Sequence, residues 1–418
     1  MPVTLASIAE ARDRIAGVVR TTPLWPSRAL SGRASLPVHL KCEQLQRTGS
    51  FKARGALNFV LQMGAADAKR GLVAMSAGNH AQGVALAAQA RGIDATIVMP
   101  AYAPLAKRRA TAAYGATVIA SGESLDEARA IAQAIAAEQG KLFVPPFDHD
   151  HIIAGQGTGG LEILEQLPDV ATVVVPAGGG GLLAGVAVAV KESRPSVRVV
   201  GVQSGAMPGI VASLRAGQLT RVEPRRTLAD GVAVSGPSER TFALIQRYVD
   251  DVVTVPEESI ADAMVFLLER ARLVTEGAGA LAVAALLGGA VRPSAGPCVA
   301  VLSGGNVDIN TLGAVVRHGL SDAGRYQRLT VEVADTPGQL AMLTAILATQ
   351  GANVLEVEHN RELPGLPIGV AAVELLLEVE DVAHHARVLD ALAAAGVGER
   401  PGFGRLATAE ARLRHVLA

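Results

Sequence analysis

The segment "LQRTGSFKARGALNF" (residues 45–59) places Lys52 and Arg54 just after Ser50 and ahead of an amphipathic run, "ALNFVLQM". Ser50 suits a helix N-cap, because its hydroxyl can accept from a free backbone N–H in the first turn. Lys52 and Arg54 then fall in that turn, beside the positive end of the helix dipole, where a cation is disfavoured by about 0.3–1 kcal/mol. A neutral amine escapes that penalty. Positive neighbours and burial both push a lysine toward its neutral form, and a neutral amine attacks an aldehyde to form a Schiff base.

Three glycine-bearing segments follow strand-like runs. In "VVVPAGGGGLLAGV" (173–186), Gly178, Gly179, Gly180 and Gly181 separate an apolar run from a helical one. Such a turn lets backbone N–H groups converge on an anion at a helix N-terminus. Gly179, Gly181 and Ala184 also match the dinucleotide pattern G-x-G-x-x-A, which needs an acid at the end of the next strand. That strand, "VRVVGVQ", ends at Gln203, and the next acid is Glu223. A phosphate cradle without a ribose grip remains, which disfavours NAD chemistry. In "MSAGNHAQGVAL" (75–86), Ser76 and Asn79 bring short polar groups to the free donors of a new helix, a seat for a carboxylate or a plain N-cap. In "VLSGGNVD" (301–308), Ser303 ends another buried strand and can donate to a ligand or cap the helix behind it.

Other chemistries find less support. Asp148, His149, Asp150 and His151 alternate in "FDHDHIIAGQGTGGLEI" (147–163), but no further ligands complete a metal site. They read as solvated loop residues, and no metal is expected. A formal net charge of −1 and 3% aromatic residues leave neither a basic stripe nor stacking platforms, so neither nucleic acid nor a membrane surface is an expected partner. Cys42 and Cys298 lack metal spacing and make no disulfide framework, which fits a reducing cytoplasm. The start, "MPVTLASIAEARDRIAGVVR", has no basic region leading into an apolar core and does not read as a signal peptide. Residues 170–190 are uncharged and long enough to span a bilayer. Pro176 and the four glycines break them, however, as a strand–turn–helix unit does.

The elements that must hold these groups follow one rhythm. Apolar runs at 72–76, 95–100, 116–120, 172–176, 197–203 and 297–305 alternate with Ala-rich helical stretches such as "LDEARAIAQAIAAEQG". That pattern predicts an α/β fold with mostly parallel sheets, whose ligands sit at the carboxyl ends of strands, where these glycines lie. The texture changes near residue 320. "SDAGRYQ" reads as a linker, and 328–402 reads as a strand–helix–strand–strand–helix unit of α+β, ferredoxin-like type. A closing strand is hard to find in "GERPGFGR", and 403–418 looks helical.

The blocks "QRTGSFKARGALN", "SAGNHAQGVAL", "IIAGQGTGGLEI", "VVVPAGGGGLLAG", "LADGVAV", "VTEGAGALA" and "VLSGGNVD" occur in the order seen in the threonine dehydratases. Over roughly residues 5–318 the chain resembles these pyridoxal 5'-phosphate (PLP) enzymes of the tryptophan-synthase-β class, fold type II. The resemblance implies a two-lobed catalytic domain (1–320, smaller lobe roughly 43–146), a linker (321–327), and a C-terminal domain (328–402) similar to ACT regulatory domains. It implies that Lys52 carries PLP, Phe51 lies against its ring, and Asn79 bonds the ring hydroxyl. Gly178 to Gly181 would cradle the phosphate, and Ser303 would meet the pyridine nitrogen. Ser76, Ala77, Gly78, Asn79 and His80 would seat the substrate carboxylate, with Lys52 and Ser76 as catalytic candidates.

The implied reaction is β-elimination of L-threonine, and of L-serine, to a 2-oxo acid and ammonia. Lys52 would remove the Cα proton, and the C-terminal domain of a homo-oligomer (dimer or tetramer) would either bind an amino-acid effector or only hold subunits together. Serine racemases are similar but carry a second serine where this chain has Ala77, and their cation-binding acids are missing from "QSGAMPGIVASLRAG". Racemisation and magnesium dependence are therefore not expected. Two alternatives remain open: a dehydratase of another β-hydroxy amino acid such as hydroxyaspartate, and a non-catalytic amino-acid sensor. A sensor has no use for the lysine amine.

Overall fold

Continuous runs of valine and alanine become parallel strands when helices cover both faces of a sheet, since no residue of such a strand then meets water. A computed structural model describes residues 3–293 and 295–399. Its first unit ends at Val307. There a six-stranded sheet has the order Leu24–Pro26, Val38–Lys41, Cys298–Val301, Thr172–Pro176, Arg198–Ser204 and Asp251–Val255. All neighbours are parallel except the first pair. A smaller, all-parallel sheet orders Thr117–Ala120, Ala95–Met99, Leu72–Met75 and Leu142–Phe143. Val173, Val174 and Val175 are fully buried, each contributing about 1.5–3 kcal/mol over an exposed side chain.

One helix sets the spacing between the lysine and the glycine turn. Asp150–Gln166 packs on one side against the Lys52–Leu61 helix and on the other against Gly181–Ser193. Both contacts are backbone to backbone. A Cβ on Gly155 would lie 2.6 Å from the Gly55 Cα, and one on Gly185 would lie 2.7 Å from the Gly157 nitrogen. The run "GQGTGG" is thus the surface that lets three helices close up. The uncharged stretch 170–190 is a strand, a turn and part of the helix to Ser193; among the described residues, no helix is long and apolar enough to cross a membrane.

The second unit begins at Asp308. It opens with the helix Ile309–Asp322, which the sequence pattern assigns largely to the catalytic part. The expected linker, 321–327, is corrected as well. The helix runs to Asp322 and a strand starts at Tyr326, leaving a short turn through Gly324, whose φ is +70°. Strands Tyr326–Ala334, Asn353–Asn360, Val370–Glu378 and Gly398–Glu399 form an antiparallel sheet with the helices Gln339–Thr349 and Val382–Ala394 between them in sequence. The sheet order places the first strand between the third and fourth, and the second at the far edge. The fourth strand pairs Gly398 with Glu332, at the start of the stretch where no strand pattern is visible. Residues 400–418, including the expected helical tail, lie outside the described residues.

In "DTPGQL" (335–340) Asp335 and Thr336 are the residue types that cap helices, yet neither caps the helix Gln339–Thr349. Gly338, at φ +95°, stands at its N-cap, while Asp335 binds the Arg361 guanidinium at 2.9 and 3.0 Å.

Candidate active site

The lysine helix starts one residue later than a Ser50 cap requires. Ser50 is extended and bridges Gly304, and the Phe51 nitrogen donates to the Ser303 carbonyl at 3.1 Å. Phe51 takes the N-cap position without any side-chain cap. The buried Ser50 hydroxyl has no hydrogen-bond partner among the described residues. Strand-like pairing with 303–304, not capping, determines where Ser50 sits.

Lys52 Nζ donates to the Pro146 carbonyl at 2.8 Å and lies 5.2 Å from the centre of the Phe51 ring. Burial lowers its pKa to about 8, against a smaller upward pull from Glu276. The neutral amine is accessible near neutrality, but desolvation is the cause, not Arg54. Arg54 points the other way and is 1% exposed. Its guanidinium grips Glu43 through Nε and Nη2, both at 2.8 Å, and Glu162 at 2.7 and 2.9 Å. Lys41, also buried, completes the cluster on Glu162 at 2.5 Å. Burial pushes the Glu43 carboxyl up, but Arg54, Lys41 and the Thr22 hydroxyl outweigh it and hold the pKa below the usual range. Arg54 is therefore a buried tie between segments and touches neither solvent nor a ligand site.

The other expected groups gather around Lys52. Gly180, at φ +92°, is the N-cap of the Gly181–Ser193 helix, whose first-turn donors receive no side-chain cap. Any side chain at Gly179 would strike the Phe147 ring at 2.5 Å, and one at Gly178 would meet the Val232 Cα at 2.9 Å. The turn is a cradle that only bare backbone can line. Thr241, from a neighbouring helix, fixes it by donating to the Gly179 carbonyl at 2.8 Å.

Ser303, 3% exposed, follows the Cys298–Val301 strand and donates weakly to the Ala278 carbonyl at 3.3 Å. It caps no helix; Asp308 caps the one that follows.

The helix Asn79–Arg91 likewise begins without a side-chain cap, at Gly78. Ser76 accepts from the Gly78 nitrogen at 3.1 Å, so neither Ser76 nor Asn79 serves as its cap. Ala77 packs against apolar neighbours and brings no hydroxyl. His80 is buried, with Nε2 3.0 Å from the Val144 carbonyl. Burial and the Lys52 charge push its pKa down to about 3, and since a carbonyl only accepts, its proton sits on Nε2.

Asp148 and Asp150 both pair with Arg240 at 2.6 Å, and His149 caps the Asp150–Gln166 helix. Among the described residues no His, Cys, Asp and Glu cluster could hold a metal.

Two groups at the site went unassigned from sequence. Glu276 accepts from the Asn79 amide at 2.6 Å, and Asn306 donates to the same amide's oxygen at 2.6 Å. Burial, and then Asp230, lift the Glu276 pKa to about 7, opposed by the Asn79 bond, Lys107 and the Asn306 backbone. Both residues lie inside blocks that carry the family resemblance, "VTEGAGALA" and "VLSGGNVD"; only their contacts reveal a role. Taken together, a half-buried, desolvated amine, a bare-backbone turn at a helix N-terminus, an amide donor and a strand-end hydroxyl fit a ring aldehyde bearing a phosphate.

Known proteins agree with that chemistry. The chain is 50% identical over 394 residues to the L-threonine ammonia-lyase of Thermotoga maritima, covering 94% of this chain and 98% of that one. It is 44% identical to the catabolic L-threonine dehydratase of Escherichia coli K12, over 75% of this chain and 96% of that protein. The processed form of threonine deaminase isoform 2 from Solanum lycopersicum superposes with a TM-score of 0.71 at 35% identity, covering 76% of this chain and 90% of that one. A family model described as pyridoxal-phosphate dependent enzyme matches residues 15–304. The chain belongs to the pyridoxal-phosphate dependent enzymes.

Proposed function

We propose that this protein is a threonine ammonia-lyase that eliminates water from L-threonine, and from L-serine, giving 2-oxobutanoate or pyruvate with ammonia. The observation that carries this reading is the half-buried Lys52 amine, desolvated to a pKa of about 8 among the groups just described. Bound PLP supplies an aldehyde that captures the substrate amine and an electron sink that acidifies its Cα proton. Lys52 would hold the cofactor and then accept that proton. Gly178 to Gly181 would hold the phosphate on their backbone N–H groups, Phe51 would lie against the ring, and Asn79 would donate to the ring oxygen. Ser303, a serine and not an acid, would meet the ring nitrogen and would leave it unprotonated, a setting that would favour prompt departure of the β-hydroxyl. The Ser76–His80 turn, with its uncapped helix start, would seat the substrate carboxylate.

The test is 2-oxo acid release from a panel of amino acids by the PLP-loaded protein. L-Threonine and L-serine should be turned over and hydroxyaspartate should lag well behind. With Ala77 where a racemase needs a hydroxyl, D-serine formed from L-serine should stay far below pyruvate. Preferred turnover of hydroxyaspartate, or racemisation on the scale of elimination, would transfer the assignment to that activity.

The strand order of the second unit supports an ACT-like regulatory role. Added isoleucine or valine is then expected to change either the threonine saturation curve or the size of the assembly on gel filtration. No change in either would leave the unit a purely architectural part.

A further inference from the structure

The Asn79 side chain belongs to a chain of four groups whose ends are both fixed. At one end the Thr48 carbonyl, which can only accept, takes a hydrogen from Asn306 Nδ2 at 2.7 Å. That orients the Asn306 amide, and its other hydrogen goes to Asn79 Oδ1 at 2.6 Å. At the far end a Glu276 carboxyl oxygen takes a hydrogen from Asn79 Nδ2 at 2.6 Å; in either protonation state the carboxyl keeps an oxygen that accepts. An amide can be turned over with little change in shape, so its orientation follows from its partners alone. Here both ends give the same answer. The Asn79 oxygen is occupied, one amide hydrogen is occupied, and one hydrogen is left to face a ligand.

Glu276 is itself tightly placed. It is 5% exposed, its backbone nitrogen donates to the Gly304 carbonyl at 3.1 Å, and a Cβ on Gly304 would collide with its carboxylate. We propose that Glu276 is a positioning residue, which together with Asn306 locks the Asn79 amide so that it presents N–H, never C=O, to the oxygen of the cofactor ring. The proposal rests on the PLP reading above and adds to it the means by which a flippable amide becomes a one-way donor. An isolated buried carboxyl is costly; a glutamate persists here because the lock needs an acceptor at that end.

The experiment measures PLP dissociation from the full-length protein by equilibrium dialysis, together with the absorption maximum of the bound cofactor. Glu276→Ala should weaken PLP binding about tenfold, the size of one hydrogen bond to a charged group. In an Asn79→Ala background the same change should add less than about a factor of two, because the group it positions is gone. Glu276→Gln should restore most of the affinity and the wild-type absorption maximum, since its amide oxygen still accepts. Should Glu276→Ala fold poorly, Asn306→Ala tests the other end of the lock and should be equally silent without Asn79. Equal losses in both backgrounds, or no loss in the wild-type background, would overturn the proposal. Failure of the wild type itself to take up PLP is a different result; it defeats the cofactor reading and this inference with it.

Discussion

Replacing Lys52 with alanine is expected to lower 2-oxo acid release from L-threonine by on the order of 10³-fold or more, the scale of losing a positioned proton acceptor. On the proposed assignment the same change takes away the attachment point for PLP, so the visible band of lysine-bound PLP should vanish while far-ultraviolet circular dichroism is retained. Lys52 Nζ donates to the Pro146 carbonyl, and among the described residues it closes no ion pair, so the fold should tolerate its loss. The pH dependence of cofactor capture carries a sign that can be checked. Burial depresses the Lys52 pKa to about 8, so the amine is an ammonium below that pH and a nucleophile above it. The rate of PLP uptake by apoprotein should therefore climb through pH 8 and level off above it. Because the Glu276 charge pulls this pKa upward, Glu276→Gln should move the midpoint lower. A midpoint near that of a solvated lysine, about 10.4, would mean the amine is not desolvated.

Arg54→Ala is the change expected to damage the fold most. It strips two carboxylates, Glu43 and Glu162, of a partner that is 1% exposed, and leaves them a single buried cation, Lys41. Breaking a buried ion pair in this way costs about 3–5 kcal/mol. Arg54→Lys should recover only part of that, since an ammonium cannot grip two carboxylates with a planar fork. Equilibrium denaturation of the holoenzyme gives the answer directly. A loss under about 1 kcal/mol for Arg54→Ala would show that the cluster relaxes around the gap and ties nothing together.

Much of this architecture is legible in the sequence. Uninterrupted runs such as "TVVVP" and "ATIVM" become buried central strands, and the four glycines stand between strand and helix. What escapes has physical reasons. Marginal strands such as "LWP" and "LF" are too short to show a period, and Asp251–Val255 is partly exposed. Ser50 carries every local mark of a helix cap, yet its place is fixed by pairing with Gly304. Asp335 likewise looks like a cap and serves Arg361 instead. Arg54 sits one turn from solvent by pattern and in the interior by fact, because the carboxylates that neutralise it are 11 and 108 residues distant. Glu276 shows the same limit. Its neighbours in the chain, Thr275 and Gly277, are small and uncharged, and the amide that defines its role is 197 residues away.

The pairing of residues 48–51 with 303–306 also fixes a schedule. Thr48 and Asn306 are 258 residues apart, yet they flank the same lysine. A nascent chain leaving the ribosome at about 5–20 residues per second exposes Lys52 some tens of seconds before Asn306 emerges. The glycine turn at 178–181 emerges midway, but until Asn306 appears the Asn79 amide lacks its orienting partner, and Ser303 and Gly304 have only just come to meet the strand-like end of the lysine helix. The contacts that complete the surroundings of Lys52 thus come from the last residues of the first unit. A chain cut short before Asn306 carries the lysine and no site.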